Sequence, residues 1–219
     1  MKKILLSLVT LLFLSANAFA GMNIGISGAF TALSSEGTET TKSSEEKNNG
    51  SKDEDVVVPS LFVEYVADSG LAIGIDFVPG EAELGDGTGS DDDAETSGAN
   101  KASAELSGHT TIYALMPLGS GGAYFKGGVA IASVDTTETL ATGTTYGNED
   151  VDGIMVGVGF QKDGDQGLFI RAEATYTDYD DVRFLGSFNG NSVGDSAVRN
   201  TVDADIDATA LRISIGKSF

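Results

Sequence analysis

Six ionisable side chains share one kind of position in this sequence. Glu64, Asp76, Lys126, Arg171, Glu173 and Arg212 each sit inside a run of alternating residues, on the face opposite the apolar one. Measured from one end of their strands they lie about four to eight residues in, which places them in a single layer. Three are acids and three are bases, so a set that meets is neutral. Two kinds of chemistry follow. Charges that exchange partners would gate ions through a narrow channel. Charges fixed in hydrogen-bonded pairs would plug a lumen and satisfy one another in a dry site.

Other candidates are weaker. His109 is the single histidine, followed by Thr110 and Thr111, with Ser103 and Ser107 close in sequence. Acyl-group chemistry needs a histidine, a serine and an acid within hydrogen-bond reach. These serines have the look of ordinary loop composition and the histidine that of a polar rim residue, so no catalytic residue and no enzyme are expected. The acidic runs Asp53-Glu54-Asp55 and Asp91-Asp92-Asp93, and Asp178 with Asp180-Asp181, hold the carboxylates that calcium or magnesium wants. No Asp-x-Asp-x-Asp-Gly loop accompanies them, and runs of like charge are usually solvated, so neither metal nor cofactor is expected. Absence of cysteine removes disulfide and thiolate chemistry. A formal charge of −20 repels phosphate and excludes nucleic acid by the usual electrostatic route.

The elements that must position these residues are strands. Residues 1–20 read as a secretory signal peptide: Lys2 and Lys3, an apolar run from Ile4 to Leu14, then Ala18-Phe19-Ala20. That leaves 21–219 as one domain. Eight alternating segments follow. They are Met22–Ala32, Val57–Ala67, Leu71–Val78, Leu106–Met116, Ala123–Val134, Gly153–Lys162, Leu168–Thr177 and Ala208–Phe219. In seven the outward face is plain, for example Leu61, Val63 and Tyr65, or Ile154, Val156, Val158 and Phe160. In the fourth the phase is ambiguous, and Thr111, Tyr113 and Leu115 are expected outward. Tyr65, Tyr113, Phe160 and Phe219 then form an aromatic girdle at one rim, where Lys162 and Lys217 can snorkel.

Short links (Asp68-Ser69-Gly70, Leu118–Gly122, Asp163–Gly167) alternate with long polar ones (Leu33–Val56, Pro79–Glu105, Asp135–Asp152, Asp178–Asp207). The long ones are too polar to order themselves by burial. Strict alternation of short and long links suits an all-β, eight-stranded antiparallel up-and-down transmembrane barrel with both termini in the periplasm. A β-sandwich would bury the apolar face and show polar residues outside. Here the other face is largely Gly, Ala, Ser and Thr, which suits a narrow barrel interior.

The last strand, Leu211-Arg212-Ile213-Ser214-Ile215-Gly216-Lys217-Ser218-Phe219, alternates and ends on an aromatic residue. Tyr113–Val129 joins an aromatic strand, a Pro-Leu-Gly turn and Tyr124-Phe125-Lys126-Gly127-Gly128. On these stretches the sequence resembles the small outer-membrane β-barrel family that includes the OmpA transmembrane domain, OmpX and the opacity-type adhesins. The resemblance implies a cell outer-membrane location and lipid and lipopolysaccharide as surroundings. It also implies that barrel-assembly machinery recognises Phe219. The expected function is a structural or surface-interaction role with a plugged lumen, the surface ligand unidentified. The alternative is a narrow passive pore for ions or very small solutes.

Overall fold

The computed structural model describes residues 21–40, 47–91, 98–140, 144–187 and 200–219; the signal peptide expected over residues 1–20 lies outside them. The described residues form ten strands: β1 (Met22–Thr40), β2 (Lys47–Val66), β3 (Ala72–Phe77), β4 (Glu81–Asp91), β5 (Gly98–Pro117), β6 (Ala123–Thr139), β7 (Glu149–Asp163), β8 (Leu168–Tyr179), β9 (Val182–Leu185) and β10 (Thr201–Ser218). Two pairs are single strands interrupted once. β3 and β4 both pair with β5, on either side of Val78-Pro79-Gly80, and β8 and β9 both pair with β10, on either side of Asp180-Asp181. Proline has no N–H to give a ladder, so the first interruption is written in the sequence.

Counted this way, eight antiparallel strands follow one another, and β1 pairs with β10 to close the ring. Closure removes the free edges an open sheet would expose. The three short links are tight. Gly70 and Gly122 adopt φ of +82° and +85°, which only glycine takes without strain, and the Leu118 N–H donates to the Ala123 carbonyl at 2.8 Å.

The outward face is a belt of large apolar side chains, among them Ile26, Val57, Leu61, Ile73, Ile154 and Leu211, the last 63% exposed. A continuous exposed apolar surface of this extent is what a bilayer covers. Ala172 and Ala174 also point outward while Arg171, Glu173 and Thr175 point in.

Strand β5 corrects the expected phase. Thr111, Tyr113 and Leu115 are buried, at 3 to 5% exposure, whereas Ile112 and Met116 face out. The cause is a bulge: between Ser107↔Ser133 and Thr110↔Ile131 the strand carries one more residue than β6, with Gly108 at φ +62°. An extra residue exchanges the two faces of a period-two pattern. Leu106 therefore faces inward above the bulge and Tyr113 inward below it.

The long links are also corrected. Much of 33–56, 81–105, 135–152 and 182–207 is strand rather than loop. Above the belt the wall divides into two four-stranded sheets, β2-β1-β10-β9 and β4-β5-β6-β7; among the described residues no ladder joins β2 to β4 or β7 to β9. Between the sheets lies an apolar core that includes Leu33, Leu84, Leu106, Val134, Phe184 and Ile206. Polar composition on the outer face concealed this, because every second residue carries the burial.

Candidate functional site: the charged layer in the lumen

The inward faces of β2, β3, β6, β8 and β10 converge on one level of the lumen, and all six predicted charges are there. Glu64 is fully buried, and Asp76, Lys126, Arg171 and Glu173 are each no more than 6% exposed; the Arg212 side chain is 10% exposed. They form three pairs.

The first is bidentate. Arg171 Nη1 and Nη2 donate to the two carboxylate oxygens of Glu64, the second at 2.6 Å. Tyr113 Oη donates to Glu64 Oε1 at 2.7 Å and Asn23 Nδ2 to Oε2 at 3.1 Å. Arg171 Nε donates to Gln161 Oε1 at 2.6 Å. In the second pair, Arg212 Nη1 donates to Asp76 Oδ2 at 2.6 Å and to Ser60 Oγ at 3.0 Å. Ser60 in turn donates to Asp76 Oδ2 at 2.8 Å and lies 2.7 Å from Ser27 Oγ. In the third, Lys126 Nζ and Tyr124 Oη both donate to Glu173 Oε1 at 3.0 Å.

Arg212 and Glu173 are direct cross-strand partners, a pairing that invites a salt bridge between them. Their side chains take other partners: Arg212 reaches Asp76 and Glu173 turns to Lys126. Two pairs, β8 with β2 and β10 with β3, reach past two intervening strands, and the third joins β6 to β8 over β7, so none runs between adjacent strands.

A collar of aromatic rings surrounds the layer, and position-by-position reading of charges missed it. The Arg171 guanidinium carbon lies 4.7, 5.2 and 5.8 Å from the ring centres of Phe169, Phe62 and Tyr124, and Lys126 Nζ lies 4.1 Å from that of Tyr113. Cations over ring faces are stabilised by the ring quadrupole. Each ring lies across from a glycine: Phe62 from Gly25, Tyr113 from Gly74 and Gly128, Tyr124 from Gly159, Phe169 from Gly216. A Cβ on Gly74 would meet the Tyr113 ring at 2.7 Å. Inward glycines opposite aromatic residues are the sequence signal for this collar; it becomes usable only once the register is known.

The layer is neutral, and its hydrogen bonds cross-link the strands that carry it. Its geometry occupies the lumen at this level and ties together strands that are not neighbours in the sheet.

The chain matches no protein-family model and no curated protein sequence. Solved structures are similar in fold. The outer membrane protein OprG from Pseudomonas aeruginosa aligns over 91% of this chain and 96% of its own, with 15% identity and a TM-score of 0.58. The outer membrane protease OmpT from Escherichia coli aligns over 92% and 98%, with 8% identity and a TM-score of 0.54. The fold is that of the outer-membrane β-barrels.

In this outer-membrane barrel fold, the remaining candidates take definite places. His109 lies inside the barrel, not at the rim, with its ring edge-on to Tyr179 at 6.2 Å. Ser103 donates to the Thr137 carbonyl and Ser107 to Asp135, so neither hydroxyl is directed at the histidine. Among the described residues no cluster of three or more acids or histidines is arranged to hold a metal ion; Asp92 and Asp93 lie outside those residues. Asp53 accepts from Ser34 at 2.7 Å, and Lys52 lies 3.1 Å from Glu54 and 3.5 Å from Asp86 across the β2–β4 division. Above the belt, the hydrogen bond from Arg183 holds the Asp203 carboxyl below its ordinary range. Tyr65, Phe160 and Phe219 are outward and exposed, and Lys217 Nζ lies 5.3 Å from the Phe219 ring centre. Tyr113 does not join that girdle.

Proposed function

We propose that this chain is a structural, surface-displaying protein of the outer membrane whose lumen is closed, and that it has no catalytic role. The observation that carries this reading is the double filling of the lumen. A layer of three ion pairs between non-adjacent strands occupies the lower level and an apolar core occupies the upper one. An eight-stranded barrel is only wide enough for side chains to fill, and both levels are filled. The apolar belt faces outer-membrane lipid and lipopolysaccharide. The strand extensions stand outside the cell, where their carboxylate- and hydroxyl-rich outer faces meet a surface ligand, and the short turns and both termini face the periplasm.

The native chain has no cysteine, so single cysteines report orientation directly. Arg183→Cys should react with a bulky, membrane-impermeant maleimide on intact cells. Ser69→Cys, in the β2–β3 turn, should react only after the outer membrane is opened. The reverse pattern, or equal reaction at both sites, contradicts this placement.

Assembly is the second part of the proposal. Phe219 presents an exposed ring beside Lys217 while its N–H donates to the Met22 carbonyl at 2.9 Å. The ring is thus available to assembly machinery at the closing seam of the barrel. Phe219→Ser should lower the amount of folded protein in the outer membrane and leave protease-sensitive chain in the periplasm. Undiminished insertion would remove Phe219 from that role.

A further inference from the structure

The chain has 13 lysines and arginines. Among the described residues only two of them face outward on the half of the barrel that carries the short links: Lys162 on β7 and Lys217 on β10, both exposed. The register sets them on either side of β8, with Lys162 level with Ile170 and Lys217 level with Leu168. Two strand spacings and a two-residue step put their Cα atoms about 12 Å apart, so two long side chains can meet over one ligand. Among the described residues neither is paired with a carboxylate. Asp163 accepts from Gln161, Asp165 stays in the β7–β8 link, and Lys217 Nζ lies against the Phe219 ring. Elsewhere on this rim the outward strand ends are uncharged, as at Tyr65, Leu71 and Met116.

Above the two lysines, β8 is low on its outward face. Ala172 lies between Phe160 and Ile213, and Ala174 between Val158 and Leu211, four large side chains that are each half exposed or more. Small residues between two rows of large ones make a shallow furrow. From Leu168 to Ala174 the strand runs about 20 Å. At a tilt of about 40° it climbs about 15 Å, the depth of one hydrocarbon leaflet.

We propose that Lys162 and Lys217 clamp the headgroup of a phospholipid with two phosphates, of the diphosphatidylglycerol class, whose acyl chains lie along β8. Each ammonium meets one phosphate, and the glycerol bridge between the phosphates sits over Leu168. Charge complementarity selects the class. The chain carries a formal charge of −20 and repels anionic lipid in general, while this pair attracts it at one place on the apolar belt. The leaflet is the periplasmic one on the placement proposed above, and the clamp rests on that reading for the leaflet alone.

The barrel, purified in a non-ionic detergent, is titrated with diphosphatidylglycerol, phosphatidylglycerol and phosphatidylethanolamine of the same acyl chains, and bound lipid is counted by native mass spectrometry. One diphosphatidylglycerol should bind at least about fivefold more tightly than phosphatidylglycerol, the factor carried by one more lysine near a phosphate. Phosphatidylethanolamine should bind more weakly than either. Lys162→Gln and Lys217→Gln should each weaken diphosphatidylglycerol binding about fivefold, and together about 25-fold. Lys101→Gln, which removes a cation from the upper part of β5, should leave it unchanged. Equal binding of the three lipids, or unchanged affinity after both substitutions, would overturn the clamp. Displacement by an equal concentration of inorganic phosphate would overturn lipid as its ligand. The wild-type lipid series decides even where a variant fails to fold. Binding in detergent is independent of orientation, whereas the cysteine labelling above is not, so the clamp and the placement fail separately.

Discussion

Arg171→Met should lower the free energy of unfolding in urea by about 3–5 kcal/mol, the cost typical of breaking a buried ion pair from one side. The size follows from what remains. Glu64 is fully buried and would be left with only Tyr113 and Asn23 as donors. Arg171 also supplies packing, since its guanidinium lies among Phe62, Tyr124 and Phe169, and Met replaces part of that volume. Arg183→Met is the contrast. Arg183 donates in a similar fashion to Asp203, but its side chain is 66% exposed and solvent takes over its role, so little change is expected. Glu64→Gln combined with Arg171→Met should cost less than the sum of the single changes, because members of one network do not add. Strict additivity, or an Arg171 effect as small as that of Arg183, would show that the two residues do not meet.

Phe184→Ala should cost about 3–5 kcal/mol, as for other buried phenylalanines. The residue is 4% exposed in the core between the two upper sheets. Its loss should be felt above the belt. Amide hydrogen exchange should accelerate in β9 and in Thr201–Ala204 of β10, the ladder that β9 makes, while the β8–β10 ladder below Asp207 keeps its protection. Unchanged exchange in β9 and β10 would mean that the segment around Phe184 does not pack as a core.

Period-two alternation was strong enough to reveal the barrel, because Ile154, Val156, Val158 and Phe160 alternate without a break and share one exposed face. The same phasing found all six lumen charges, since a charge on the lipid side is excluded by its cost. Three things were hidden. The bulge at Gly108 exchanges the faces of β5; a glycine inside a strand can mark a bulge but does not by itself show that a residue is added, so the phase of Tyr113 is not fixed by the sequence. The pairing of Arg212 with Asp76 depends on which side chains cross the lumen, a matter of barrel curvature that adjacency in the ladder does not convey. The upper core was masked by its own outer face. Leu33, Leu84, Leu106 and Ile206 are spaced among serines, glycines and acids, and such segments read as loops until strands from distant parts of the chain are set opposite one another.

Single-channel recording on purified barrel in planar bilayers tests the closed lumen most directly. With Glu64–Arg171, Asp76–Arg212 and Lys126–Glu173 filling the lumen below a packed apolar core, the wild-type protein should insert and show no long-lived ohmic conductance step at moderate voltage. A stable open level in the wild type, reproducible from one insertion to the next, would show that the lumen is a continuous pore and would contradict the structural role.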